Sequence, residues 1–227
     1  MADDVKAARR YVSAVRAQQA AATKRAVLTA ARELFAEQGY AATSVASIAA
    51  RAGVAVDTLY AAVGRKPVIL RQLLETALSG TDDEVPAVQR DYVRGVRAAS
   101  TAEEKISLYA AAVSEIGVRM APVQLALAEA ALTDPECAAL RAEVDARRAA
   151  NMRLFAADLR ATGHLRPDLT DDEVADVVWS MNAPEYWALL VGERGWAPER
   201  FGAWLADCWT RALLAPDAPP PGSTVRP

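Results

Sequence analysis

The sequence predicts an all-α chain. Helix-forming residues dominate, with alanine abundant and aromatics at only 6%. No run of five or more alternating β-branched residues offers a strand. Glycine, proline and capping residues divide the apolar pattern into helix-length pieces. Hydrophobic residues make up 52% of the 227 positions, enough for a core in one or two domains.

Taken in order, residues 1–22 are Ala-rich and basic with few apolar anchors. They read as an arm, helical or disordered. Arg9, Arg10 and Arg16 either face solvent or touch a polyanion beside the main site. A helix is expected over 23–38, where Val27, Leu28, Ala31, Leu34 and Phe35 share one face and Gly39 stops it. Thr43 or Ser44 caps a second helix to about Arg51, with Val45, Ile48 and Ala49 inward. Ala52-Gly53 turns the chain into a third helix, Ala55–Ala62, with Leu59 inward. Pro67 sits in the first turn of a fourth helix ending near Leu78, where its missing N–H is harmless.

A polar break at Gly80–Glu84 precedes about six helical segments. Thr101 with Glu104 and Thr170 with Glu173 have capping-box spacing. Asp134-Pro135 and Pro198 open helices, one of them a long helix over about 135–162. Pro184 kinks or splits the segment 171–192. The proline-rich tail 216–227 is expected to be disordered. The domains read as arm 1–22, head 23–66, body 67–215 and tail 216–227.

Charge divides the chain unevenly. Residues 1–66 hold ten Lys/Arg and five acids, a net +5, within a chain of net −3, which leaves −8 for the rest. A basic head that meets phosphates and an acidic body that avoids them fit this split. Apolar stretches fall short of a membrane span, and no signal-like apolar core opens the chain, so a cytoplasmic place without membrane contact is expected. Cys137 and Cys208 are expected to be free, buried thiols, with a redox sensor as the alternative. They and the single His164 form no zinc spacing, and no serine is paired with a base. No metal, cofactor or enzymatic activity is expected.

The head supplies what a DNA-reading helix needs: small or polar groups at its start and hydroxyls and ammonium groups at its flanks. Ala55, Val56, Asp57, Thr58 and Tyr60 lie on the third helix. Thr43 and Ser44 open the second, and Lys66 opens the fourth. Tyr60 packing on the fourth helix, or Lys66 as a solvated charge, are the plain alternatives.

The stretch AARELFAEQGYAATSVASIAARAGVAVDTLYAAVGRKPVIL closely resembles the TetR family of bacterial transcriptional regulators. The resemblance implies a helix-turn-helix head on a divergent helical body that dimerises and binds a small ligand, with the fourth helix linking the two. It implies phosphate or backbone contacts for Thr43, Ser44, Thr58, Tyr60 and Lys66, and base reading near Val56 and Asp57. Ala55 stands where a Ser or Thr cap is common. Ala61, Ala62 and Val63 replace basic, His and Phe-like residues, which weakens direct readout.

In the body, Tyr109, Met120, Met152, Phe155, Trp179, Asn182 and Tyr186 offer bulky and polar groups suited to a small apolar or amphipathic effector, or to ordinary core. Leu189, Leu190, Trp204, Leu205 and Trp209 form apolar surface for a homodimer's four-helix bundle, or close the monomer core. The function read from these features is a ligand-responsive regulator, a repressor reading a palindromic double-stranded DNA operator as a homodimer. The rival is a helical small-molecule-binding or interaction protein with a vestigial head.

Overall fold

The computed structural model describes residues 2–79, 85–86 and 89–216, with side chains from residue 15 onward. The expected break at 80–84, the tail from 217, and the Arg9 and Arg10 side chains lie outside the described residues. Among the described residues the chain is all-α, with one isolated bridge between Leu165 and Leu214. The helices are α1 (Ala2–Ala42), α2 (Val45–Ala52), α3 (Val56–Ala62), α4 (Lys66–Ser79), α5 (Asp91–Ala98), α6 (Ala102–Ala130), α7 (Pro135–Arg160), α8 (Asp171–Met181), α9 (Pro184–Trp187) and α10 (Pro198–Leu213). A π-helical turn, Ala188–Glu193, follows α9 directly.

The chain forms two compact units. The first takes residues 1–84 together with 122–141, and the second takes 85–121 with 142–227. The boundary expected at Lys66–Pro67 falls inside the first unit, which also recruits the end of α6 and the start of α7.

In the first unit, α1 packs on α2, α3 and α4. The expected face of α1, Val27, Leu28, Ala31, Leu34 and Phe35, is buried, as are Ile48, Ala49 and Leu59. Burying a residue of the size of Leu59 contributes about 2 kcal/mol. Val45, expected inside, is only half-buried. α1 begins well before residue 23, because the Ala-rich segment from residue 2 continues the helix. It also runs past Gln38 as a broken helix, with Gly39 at φ 79° and ψ 172°. Only glycine adopts that conformation without strain.

In the second unit the core joins α5, α6, α7, α8 and α10 through Val96, Ile106, Phe155, Leu159, Val178 and Trp209. The expected helix starts are present. Glu104 N–H donates to Thr101 Oγ1 at 3.2 Å, and Thr170 and Glu173 cap each other. In the first unit, Asp134 Oδ1 accepts from Glu136 N–H at 2.9 Å. Pro184 does divide its segment: α8 ends at Met181 and α9 starts at the proline. Gly117 makes room for Trp187, whose ring atoms lie 2.5 Å from where a Cβ would stand.

One sequence expectation changes here. α6, at 29 residues, is long and apolar enough to cross a membrane by length and composition. Its Ala102, Ile106 and Ala110 are buried in the second unit and its Val123, Ala126 and Leu127 in the first, so it serves as a core helix of both.

Candidate nucleic-acid interface

The start and stop of α2 are built by local chemistry. Ser44 Oγ accepts from Ser47 N–H and Ser47 Oγ accepts from Ser44 N–H, both at 3.0 Å. Gly53 ends the helix at φ 68°. Gly53 N–H donates to Ala50 O at 3.2 Å and Val54 N–H to Ala49 O at 3.0 Å, the paired bonds of a left-handed helix stop. α3 therefore leaves α2 through a turn with a fixed geometry.

α3 has one buried side and one open side. Leu59 is fully buried. Ala55, Val56, Asp57, Thr58, Tyr60 and Ala61 are exposed, with Tyr60 at 48%. Ala55 gives α3 no side-chain cap, and Asp57 in the first turn complements the positive end of the helix. Val56, Thr58 and Tyr60 thus stand free of the core, on a short helix able to approach base edges.

The flanking residues divide. Ser44 is exposed at the head of α2. Thr43 is 1% exposed, and its hydroxyl donates to Gly39 O at 2.8 Å while accepting from Gln38 Nε2 at 3.2 Å. Its side chain therefore fastens the α1–α2 corner and has no face for a phosphate. Lys66 Nζ donates to Tyr40 O at 2.8 Å, which leaves two of its three N–H donors uncommitted to that bond. Partial burial lowers the Lys66 pKa below the usual lysine range.

Two other head cations have protein partners. Arg51 pairs with Glu37 at 2.9 Å and with Glu33 at 3.3 Å, and Arg65 reaches Glu136 at 3.1 Å. Arg16, on the long α1, is exposed.

Gly39, Tyr40 and Glu129 form a junction that the sequence does not announce. Tyr40 and Ala41 N–H groups donate to Glu129 Oε2 and Oε1 at 2.9 and 3.0 Å. These two bonds hold the Glu129 carboxyl below its ordinary pKa. The Tyr40 hydroxyl lies 3.5 Å from Cys137 Sγ, and burial pushes its pKa up. Cys137 is buried and Cys208 half-buried, both as free thiols. Among the described residues, no group of three or more His, Cys, Asp and Glu is placed to hold a metal. His164 is exposed.

In the second unit, four of the expected effector residues meet. Asn182 Nδ2 donates to Tyr109 Oη at 3.0 Å and lies 3.5 Å from Met152 Sδ. The Tyr109 ring lies 4.8 Å from Phe155 and stacks 5.7 Å from Trp209. Burial raises the Tyr109 pKa and keeps the phenol neutral. Arg148, which sequence reasoning missed, donates to Asn182 Oδ1 at 2.5 Å and to Trp179 O at 3.1 Å, with its guanidinium 5.2 Å from the Trp179 ring. Its place among many arginines of α7 carries no distinguishing signal in the sequence. Met120 is buried. Tyr186 instead joins a second aromatic group, 5.8 Å from Trp204.

The residues expected at a subunit interface also divide. Leu189 is 52% exposed, and Leu190 and Trp204 are half-buried. Leu205 and Trp209 are fully buried, because their side of α10 belongs to the apolar core it shares with α6, α7 and α8 of the same unit. They close the monomer core and offer no surface to a second copy.

Residues 27–64 match the sequence model of bacterial regulatory proteins of the tetR family. No curated protein matches the chain. Among solved structures the fold is similar to a SmeT–triclosan complex (17% identity, 91% of this chain and 98% of that one, TM-score 0.67). It is similar to FadR, a fatty acid degradation regulator from Bacillus halodurans (17% identity, 82% and 94%, TM-score 0.67). NalD, the secondary repressor of the MexAB-OprM multidrug efflux pump in Pseudomonas aeruginosa, shares it as well (18% identity, 88% and 100%, TM-score 0.65).

Proposed function

We propose that this chain, whose head is that of the tetR family of bacterial regulatory proteins, is a ligand-responsive cytoplasmic repressor that reads a palindromic operator as a homodimer. The observation that carries the DNA-reading part is the open side of α3. Val56, Asp57, Thr58 and Tyr60 are presented by a turn whose backbone bonds leave little freedom. In this reading Val56 and Ala61 meet base edges, where a thymine methyl suits them. Ser44, Thr58, Tyr60 and Lys66 meet phosphates, and Thr43 contributes by fixing the corner.

Two heads about 34–36 Å apart reach successive major grooves, which requires a dimer. The exposed Leu189 and Tyr186 and the half-buried Leu190 and Trp204 support an interface on that face. The effector site is proposed at Tyr109, Met152, Phe155, Trp179 and Asn182, with Arg148 beside them. SmeT was solved with triclosan, an instance of this fold holding a small molecule. An effector releases DNA only by binding better to the state that does not match the operator.

The test is fluorescence anisotropy of purified protein on the intergenic DNA flanking its own gene, titrated with salt. Tight, salt-sensitive binding that survives excess competitor DNA is expected. Binding equal to that of random DNA would sink the reading. One observation favours the rival, a binding protein with a vestigial head: Arg51 and Arg65 are paired with carboxylates and α3 itself is formally negative.

A further inference from the structure

We infer that Glu129 is a positioning residue for DNA reading: from the last turns of α6 it sets the direction in which α2 and α3 leave α1. The inference rests on the DNA-reading assignment above and adds to it a residue far outside the helix-turn-helix in sequence.

The break at Gly39 is a point where the backbone changes direction, since φ 79° with ψ 172° belongs to no regular helix. Glu129 holds the two residues that follow. Its two carboxylate oxygens each take one N–H, from Tyr40 at 2.9 Å and from Ala41 at 3.0 Å. Two bonds to two oxygens of one planar group fix orientation as well as distance. On the other side of the same residue, Lys66 donates to Tyr40 O at 2.8 Å. Thr43 then ties back to Gly39 O at 2.8 Å.

Downstream the chain is stiff. α2 starts at Val45 with its capping box, and the Gly53 stop leads into α3 without slack. A change of direction at Tyr40–Ala41 therefore carries Val56, Asp57, Thr58 and Tyr60 together. Glu129 itself is exposed, so the hold is made by its hydrogen bonds and not by burial of its side chain.

The experiment compares Glu129→Ala and Glu129→Gln with wild type on the flanking intergenic DNA and on random DNA of equal length. Loss of folded protein lowers both affinities by one factor, so their ratio does not respond to a purely structural role. The ratio is expected to fall about tenfold in Glu129→Ala, the discrimination of one well-aligned base contact. Glu129→Gln should fall between, because its amide oxygen still accepts one N–H. The salt slope should stay as in wild type, since no phosphate contact is removed. Amide hydrogen exchange of the free protein should quicken at Tyr40, Ala41 and through α2 and α3. An unchanged ratio overturns the inference. If wild type itself shows no preference for the flanking DNA, the DNA-reading assignment falls. Exchange then decides the hold of Glu129 alone: faster exchange in α2 and α3 keeps it, and unchanged exchange removes it.

Discussion

Lys66 and Tyr40 hold each other twice. The lysine ammonium donates to the tyrosine carbonyl at 2.8 Å and lies 3.8 Å from the centre of its ring. The first residue of α4 is thereby fastened to the α1–α2 corner, beside the carboxylate that grips the same residue from α6. Lys66→Ala should lower stability by about 1 kcal/mol, the scale of a partly exposed cation–π contact with one charged hydrogen bond. It should also reduce the slope of log affinity for DNA against log salt by about 0.9, one phosphate contact. Thermal denaturation and salt-titrated anisotropy check the two parts separately. A normal slope would remove Lys66 from the phosphate set and leave it a structural residue.

Residues on opposite sides of α3 should behave in opposite ways. Leu59→Ala opens a cavity in a fully buried site and should destabilise by about 2–5 kcal/mol. Val56→Ala, on the open side, should leave the melting temperature within error and change base preference. Chemical denaturation of both variants, with selection of preferred duplexes for Val56→Ala, distinguishes a reading face from a merely exposed one.

Gly39→Ala should cost about 1–3 kcal/mol, because an L side chain is strained at φ 79° and ψ 172°. A Cβ there would also lie 2.8 Å from Glu129 Oε2. The carboxylate end of a glutamate moves easily, so strain should dominate. The destabilisation should therefore persist when Gly39→Ala is made in a Glu129→Ala background. A double variant as stable as Glu129→Ala alone would show that the clash, and not the backbone, is the cause.

Lys105 is buried in the second unit. It donates to Val96 O at 2.9 Å and to Asp158 Oδ2 at 2.8 Å. Removing one partner of such a pair leaves a charge out of water without compensation. Asp158→Ala should therefore cost more than Lys105→Met, by roughly 1–2 kcal/mol in denaturant unfolding. The reverse order would mean that the Val96 and Arg97 carbonyls, 2.9 and 3.4 Å from Lys105 Nζ, suffice for its charge.

Glu129 has its folded-state pKa depressed, chiefly by the Ala41 and Tyr40 N–H groups. Such a group contributes stability above its unfolded pKa, roughly 4.3 for glutamate. That contribution disappears as pH falls through the lower folded value. The melting-temperature gap between wild type and Glu129→Gln should be level from neutral pH down to about pH 5 and close below it. A gap that stays constant into acid would mean the carboxylate charge plays no part in the clamp.

Local signals in the sequence carried most of the helix ends. Ser44, Gly53, Thr170, Asp134, Pro184 and Pro198 act on their own neighbours, so their roles follow from spacing alone. The inward side of α1, α2 and α3 was legible for the same reason, apart from Val45. The rest depends on partners distant in sequence. Glu129 meets Tyr40 across 89 positions, and Arg148 meets Asn182 across 34. The apolar stripe of α10 was visible, but a stripe does not say whether it faces its own core or a second copy. The structure turns Leu205 and Trp209 inward. Likewise Thr43 and Ser44 are equal as caps by composition. Only the fold shows that Ser44 caps α2 and Thr43 is enclosed.

The inclusion of residues 122–141 in the first unit has a consequence for protein engineering. A chimera that exchanges the head at the junction after α4 would transplant the corner at Gly39 without the acid that holds it. The new body would present whatever residue it carries at that point, and the grafted α3 would inherit a foreign orientation. A portable head for this chain is discontinuous: it consists of the N-terminal helices plus the α6–α7 hairpin tip, moved together.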